Sequence, residues 1–237
     1  MKKTDELYTQ LNGIEKELTH YIKHFKDKIV FCNCNDSYES NFFKYFVMNF
    51  NRFGLKKLIC TSYCNSATEY TKLNMSDNGK AYKIEITEVN NKSSDGSTNF
   101  TNIKYLLKNK ENSLTFLNGN GDFRSEECIK LLKQADIIVT NPPFSLFRGY
   151  IVILMSYNKK FLIIGNKKAI SYKEIFPLIK ENKIWSGYNN GEQTFKVPNS
   201  FDGNNTFIKE GIKYAKLDNI CWFTNLKTAK KRTITII

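Results

Sequence analysis

Asn141-Pro142-Pro143-Phe144 stands directly behind an apolar run, Ile137-Ile-Val-Thr140. That combination suits chemistry on an exocyclic amine. Such a nitrogen is a poor nucleophile because its lone pair is delocalised into the ring. An amide oxygen from Asn141 and the carbonyl of Pro142 can accept its two hydrogens and favour a more tetrahedral nitrogen. Pro142 and Pro143 have no backbone N–H and hold φ fixed, so the acceptors face inward without competing donors. Phe144 offers a planar base a stacking face. The plainer reading of the same four residues is an Asn-Pro turn that closes a strand and returns an aromatic to the core. Position favours the first: after a buried strand and before a helix, the tetrapeptide lies at the carboxyl ends of the strands, where open α/β sheets bind ligands.

Two acid-bearing segments have the chemistry for a nucleoside cofactor. In Asn33-Cys34-Asn35-Asp36, which follows the first apolar run, the Asp36 carboxylate is placed to accept from a cofactor ammonium. Ser40 and Asn41 then open a helix whose N-terminus favours anions. In Gly121-Asp122-Phe123, the acid can take an adenine amino group and the ring can cover the base. The alternative for the first loop is a polar helix cap with no ligand, and the second is only a tripeptide. The chain contains no Gly-x-Gly-x-x-Gly, which argues against a nicotinamide dinucleotide.

The elements that must position these residues follow from periodicity. Residues 4–25 carry apolar positions at helical spacing (Leu7, Leu11, Ile14, Leu18, Tyr21, Ile22, Phe25), with Thr4 and Asp5 as caps, and predict one leading helix. Strand, loop and helix follow over residues 28–50, Gly54 ends the helix, and residues 57–62 predict a second strand parallel to the first. Residues 65–112 read as an insertion containing one alternating strand at 82–87. Strands at 113–117, 136–140 and 160–165 then alternate with helices at 125–134, 146–157 and 172–181. The predicted fold class is α/β, a doubly wound sheet. Short alternating runs after residue 183 predict antiparallel strands at the sheet edge. The expected organisation is a leading helix (1–26), a catalytic core (27–182) and an edge segment (183–237).

Lys and Arg number 36 against 23 Asp and Glu, a net charge of +13, so a polyanionic partner is favoured, although Lys- and Asn-rich composition also follows from AT-rich codons. Lys167, Lys168, Lys230, Lys231 and Arg232 are the candidate phosphate contacts. The polar first residues and the absence of a long apolar run point to a cytoplasmic protein with no membrane partner. The six cysteines are read as reduced thiols. Their spacing matches no zinc ribbon, and residues 91–102 resemble a calcium loop without its acids, so no metal is expected.

Taken together and in order, the segment from Val30 through Asp36 to Phe46, Gly121-Asp-Phe-Arg-Ser125, Asp136-Ile-Ile-Val-Thr-Asn-Pro-Pro-Phe-Ser-Leu-Phe-Arg148, Phe161-Leu-Ile-Ile-Gly-Asn166 and Asn219-Ile-Cys-Trp-Phe-Thr-Asn225 resemble the EcoRI-type adenine-specific DNA methyltransferases. Several separated motifs are far more specific than any one. The resemblance covers about residues 28–226. It implies a Rossmann-like class I methyltransferase fold that uses S-adenosylmethionine to methylate N6 of adenine in DNA. Asn33, Asn35, Asp36, Ser40 and Asn41 would match the methionine-binding motif, Asp122 and Phe123 the adenosine side, and Asn141 to Phe144 the catalytic motif. DNA is then the expected partner, and a cognate restriction endonuclease the setting in which such enzymes work. The same motif also fits methylation of RNA adenine or of a protein glutamine, and a non-catalytic nucleic-acid-binding descendant. The relatives continue beyond the point where this chain ends, which leaves a short target-recognition segment expected after residue 183.

Overall fold

The structure is a computed structural model that describes residues 7–33, 40–63, 80–90, 106–189 and 191–228. The chain divides into two compact units, Ile22–Thr140 and Met1–Tyr21 with Asn141–Ile237.

In the first unit, β2 (Ile29–Cys32) lies between β3 (Lys57–Thr61) and β6 (Ile137–Thr140), parallel to both. The runs Ile-Val-Phe-Cys, Lys-Leu-Ile-Cys-Thr and Ile-Ile-Val-Thr are almost wholly buried, as expected of parallel strands covered on both faces. β4 (Tyr82–Ile86) and β5 (Ser113–Phe116) extend this side of the sheet antiparallel, giving the order β5-β4-β3-β2-β6. Tyr82–Ile86 belongs to the stretch read as an insertion, yet it pairs with β3 through Leu58 and Ile86. The calcium-like loop, at residues 91–102, lies outside the described residues.

The helices of this unit are set by local signals. Ser40 caps α3 (Asn41–Met48) by accepting from Phe43 N–H, and Gly54 ends α4 (Phe50–Phe53) in the left-handed region that glycine adopts freely. The rings of Phe46 and Phe53 pack with Phe25 of α2 (Ile22–Phe25) at centroid distances of 5.2 and 5.6 Å. Ser125 caps α5 (Glu126–Gln134), whose first turn carries Glu126 and Glu127, the sign favoured there. At its far end, Asp136 accepts from Ile29 N–H at 2.8 Å and ties the start of β6 to β2.

In the second unit, β7 (Lys160–Asn166), β12 (Ile220–Thr224) and β8 (Trp185–Ser186) pair antiparallel in the order β7-β12-β8. A separate antiparallel sheet has the order β1-β9-β11-β10, from β1 (Tyr8–Thr9), β9 (Gln193–Lys196), β10 (Thr206–Lys209) and β11 (Ile212–Leu217). The antiparallel strands expected near the carboxyl end are present, divided between these two sheets. α6 (Phe147–Ser156) starts with Phe147, whose ring lies against Gly165 so closely that a Cβ there would meet it at 2.4 Å. The helix expected over 172–181 is shorter, because Lys167–Ser171 forms a 3-10 turn and Pro177 favours a start at α7 (Phe176–Lys180).

The leading helix expected over 4–25 is also corrected. Helix begins only at α1 (Leu11–Leu18) and tightens to a 3-10 turn at Thr19–Tyr21, while Tyr8 and Thr9 are extended and pair with Lys196 and Phe195. Backbone pairing to a strand nearly 190 residues away outcompetes the helical period there, and the expected caps Thr4 and Asp5 lie outside the described residues. Glu17 of α1 is fully buried and accepts from Tyr21 Oη, Tyr188 N–H, Asn189 N–H and Asn189 Nδ2, at 2.6–3.1 Å. These bonds fasten the amino-terminal segment into the second unit.

Cys32, Cys60, Cys128 and Cys221 are buried free thiols, and burial pushes Cys32, Cys128 and Cys221 above the usual thiol range. Among the described residues, no group of three or more His, Cys, Asp or Glu is gathered to hold a metal, and no helix is long and apolar enough to cross a membrane.

Candidate active site

Asn141 begins the second unit where β6 ends. Its Nδ2 donates to the Leu7 carbonyl at 2.8 Å and to Thr9 Oγ1 at 3.3 Å. A backbone carbonyl only accepts, so the Leu7 contact fixes which end of the amide carries the hydrogens. Oδ1 is thereby held on the other side, buried, and accepts no hydrogen bond from the described residues. Leaving a buried acceptor unpaired costs about 1–3 kcal/mol, and native structures seldom do so without a ligand or a functional reason.

The rest of the tetrapeptide follows directly in the chain. Pro142 is buried, and the 3-10 turn that follows (Phe144–Leu146) is closed by Leu146 N–H on the carbonyl of Pro143, so the Pro142 carbonyl is not used by the turn. Phe144 is half-buried, and no aromatic ring among the described residues stacks on it. Tight packing of Phe147 against Gly165 and against Phe223, at 5.0 Å, anchors the helix that carries this turn onward. The site therefore offers one orphaned amide oxygen, one backbone carbonyl clear of the turn and one aromatic face.

The acid-bearing side of the first unit is built differently. Gly121 has φ +78°, and a Cβ there would come within 2.2 Å of the Ser62 carbonyl, so only glycine lets the loop pass this close to the end of β3. Beyond it, Asp122 N–H donates to Asn120 Oδ1, and the Asp122 carboxylate accepts from Arg124 N–H at 2.8 Å, Nε at 2.9 Å and Nη2 at 2.6 Å. The guanidinium holds the Asp122 carboxyl below its usual range, so it is an ionised acceptor at neutral pH. Phe123 is buried, with the Arg124 guanidinium 5.4 Å from its ring centre. The loop's other flank is held by Glu127, which accepts from Asn118 and Gly119 N–H.

At the carboxyl end of β2, Asn33 is buried and its carbonyl accepts from Thr140 Oγ1 at the end of β6. On the neighbouring strand β3, Thr61 Oγ1 is buried with no hydrogen-bond partner among the described residues. The Ser40 hydroxyl is engaged in capping α3. Asn35 and Asp36 lie outside the described residues, as do Lys230, Lys231 and Arg232. Lys167 and Lys168 open the 3-10 turn after β7, with Lys168 exposed and its N–H capped by Asn166 Oδ1. Among the described residues, those that sequence reasoning missed are Leu7 and Thr9, which hold Asn141. Leu7 falls on the helical apolar period of the sequence, and nothing local signals a partner at residue 141.

Comparison with known proteins covers the whole chain. The family model described as Adenine-specific methyltransferase EcoRI matches residues 1–237. The chain is 44% identical over 229 residues to Type II methyltransferase M.EcoRI of Escherichia coli, with 94% of this chain and 66% of that protein covered. It is 39% identical to M.MgeORF184P of Mycoplasma genitalium and 37% identical to M.MpnI of Mycoplasma pneumoniae, covering 94% and 95% of this chain and 62% of each relative. The chain thus spans just under two thirds of the length of these curated relatives. No solved structure matches it. With a match along every residue and relatives well above 30% identity, the chain belongs to the EcoRI adenine-specific methyltransferase family.

Proposed function

We propose that this protein is a DNA adenine N6-methyltransferase that uses S-adenosylmethionine, on a doubly wound, Rossmann-like class I methyltransferase core. The observation that carries the reading is the Asn141 amide: its nitrogen is consumed by two acceptors, and its buried oxygen awaits a donor. An exocyclic amine is such a donor. Asn141 Oδ1 and the Pro142 carbonyl take the two hydrogens of adenine N6, and Phe144 stacks on the base after it has been turned out of the duplex. The Asn141 contact strengthens as positive charge develops on that nitrogen during in-line attack.

The donor set of the first unit fits the cofactor. Asp122 is ionised at neutral pH and, although Arg124 engages both of its oxygens, each keeps acceptor capacity for an amine hydrogen. Asn33, Asn35, Asp36, Ser40 and Asn41 supply polar groups for the methionine end, and Phe123 an aromatic ring for the adenosine end. When bound, the cofactor supplies a methyl carbon activated by the neighbouring sulfonium. Lys167, Lys168, Lys230, Lys231 and Arg232 are assigned to DNA phosphates, consistent with the +13 charge. The remaining parts of the reading are a cytoplasmic location and a cognate restriction endonuclease working on the same DNA.

The test is methyl transfer from labelled S-adenosylmethionine to duplex DNA, RNA and glutamine-containing peptide, with N6-methyladenine identified in the digested nucleic acid. Labelled N6-methyladenine in DNA is the expected product. Label confined to RNA or peptide, or no label at all, overturns the assignment. Binding to duplex DNA should also weaken steeply with salt, since phosphate contacts release condensed counterions.

A further inference from the structure

We propose that the amino-terminal strand is a positioning element for the amine-accepting group, with the Leu7 carbonyl and the Thr9 hydroxyl setting the orientation of Asn141. This rests on the function proposed above and adds residues to it that the catalytic tetrapeptide does not contain.

The argument starts from the freedom of an asparagine side chain. Its terminal torsion is broad, so an isolated Asn presents oxygen or nitrogen to an incoming amine with little preference. Presenting nitrogen would set donor against donor. At Asn141 the choice is made by two acceptors on one short segment: the Leu7 carbonyl at 2.8 Å, which has no proton to give, and Thr9 Oγ1 at 3.3 Å. Each takes one of the two Nδ2 hydrogens, leaving Oδ1 as the free face of the amide.

The segment that carries these acceptors is itself fixed from both sides. Tyr8 and Thr9 pair with Lys196 and Phe195, Leu7 and Thr9 are buried, and the following helix is fastened through Glu17 to Tyr188 and Asn189. Gln10 Nε2 returns to the Tyr8 carbonyl at 3.0 Å. A positioning group is useful only if its own support is rigid, and these contacts supply that support. Leu7 and Thr9 are positioning residues that touch neither base nor cofactor. They act through Asn141.

Thr9→Val keeps the β-branched shape and removes the acceptor, while Thr9→Ser keeps the acceptor. The side-chain amide signals of Asn141, assigned by their loss in Asn141→Ala, should show slow hydrogen exchange in the wild type. In Thr9→Val, one of the two protons should exchange about 3- to 10-fold faster, and Thr9→Ser should restore protection. In the methylation assay Thr9→Val should lower kcat by a similar factor at unchanged KM for the cofactor, with Thr9→Ser again near wild type. Wild-type exchange and wild-type kcat in Thr9→Val overturn the proposal. If a melting profile shows Thr9→Val unfolded, the wild-type exchange rate decides alone, and an unprotected Asn141 amide overturns it. A wild type that protects the amide yet methylates no adenine keeps the positioning and defeats the proposed function instead.

Discussion

Asn141 is held by residues 134 and 132 positions away in the chain, whereas Asp122 is held by Arg124, two positions away. The two regions solve the same problem, aiming a polar side chain, by opposite routes. Around Asp122, a glycine in the left-handed region, an asparagine two residues before and an arginine two residues after make a loop that carries its own constraints. Around Asn141, the orientation is imported from residues 7–9 near the amino terminus, and the helix that follows them is secured by a buried carboxylate, Glu17. The Asp122 loop should therefore tolerate perturbation elsewhere in the molecule, while Asn141 should be exposed to any change that loosens the second unit.

The largest effect is expected at Asn141 itself. Asn141→Ala should cut turnover by about 100-fold or more and spare cofactor affinity, the signature of an interaction made mainly in the transition state. Steady-state methylation kinetics and calorimetry with S-adenosylmethionine measure the two halves separately. Equal losses in both would erase the contrast between the regions.

Glu17→Ala should be next, on stability. It removes the acceptor that Tyr188 N–H, Asn189 N–H, Asn189 Nδ2 and the Tyr21 hydroxyl share, with Asn189 Nδ2 keeping the Lys16 carbonyl, at a cost of about 3 kcal/mol in denaturant unfolding. Burial pushes the Glu17 carboxyl above 4.5, despite the hydrogen bonds that oppose the shift. A raised acid is protonated more readily in the folded state, so its favourable contribution is present below 4.5 and lost as pH rises through the folded value. The stability of wild type relative to Glu17→Gln should accordingly grow as pH falls towards 4.5.

Phe144→Ala should weaken productive DNA binding by about 1–3 kcal/mol of base stacking, and Phe144→Trp should retain substantial activity because a flat face is all that is required. A Trp variant as poor as Ala would mean that Phe144 packs rather than stacks.

The smallest stability effect is expected at Asp122. Its carboxyl is held below 3.8 by Arg124, so its contribution is present above that value and lost as pH falls through the lower folded value, opposite in sign to Glu17. Arg124 is solvent-exposed, so Asp122→Ala should change the unfolding midpoint little. It should nevertheless weaken S-adenosylmethionine binding in calorimetry. A large fall in stability would show that the loop is not self-contained.

Much of this was legible in the chain itself. Val30-Phe-Cys, Leu58-Ile-Cys and Ile137-Ile-Val announce buried strands because a strand covered on both faces is apolar at every position. Ser40, Ser125 and Gly54 mark helix ends because caps bond within a few residues of themselves. The Asn-Pro-Pro-Phe tetrapeptide shows in neighbouring sequence its place directly after a strand, and its residue types are what the proposed chemistry draws on. Each of these signals is local, and the family's motifs are read the same way.

What only the tertiary structure decided is where distant backbone goes. Tyr8 and Thr9 sit in a stretch with helical periodicity, and they are a strand because β9 offers hydrogen bonds that a 3.6-residue pattern cannot anticipate. Tyr82–Ile86 joins the sheet despite polar surroundings in sequence because β3 has an edge to pair. The orientation of Asn141 belongs to the same class: residue type supplies an amide with two chemically different ends, and choosing between them takes an acceptor whose position is set by chain packing across more than a hundred residues.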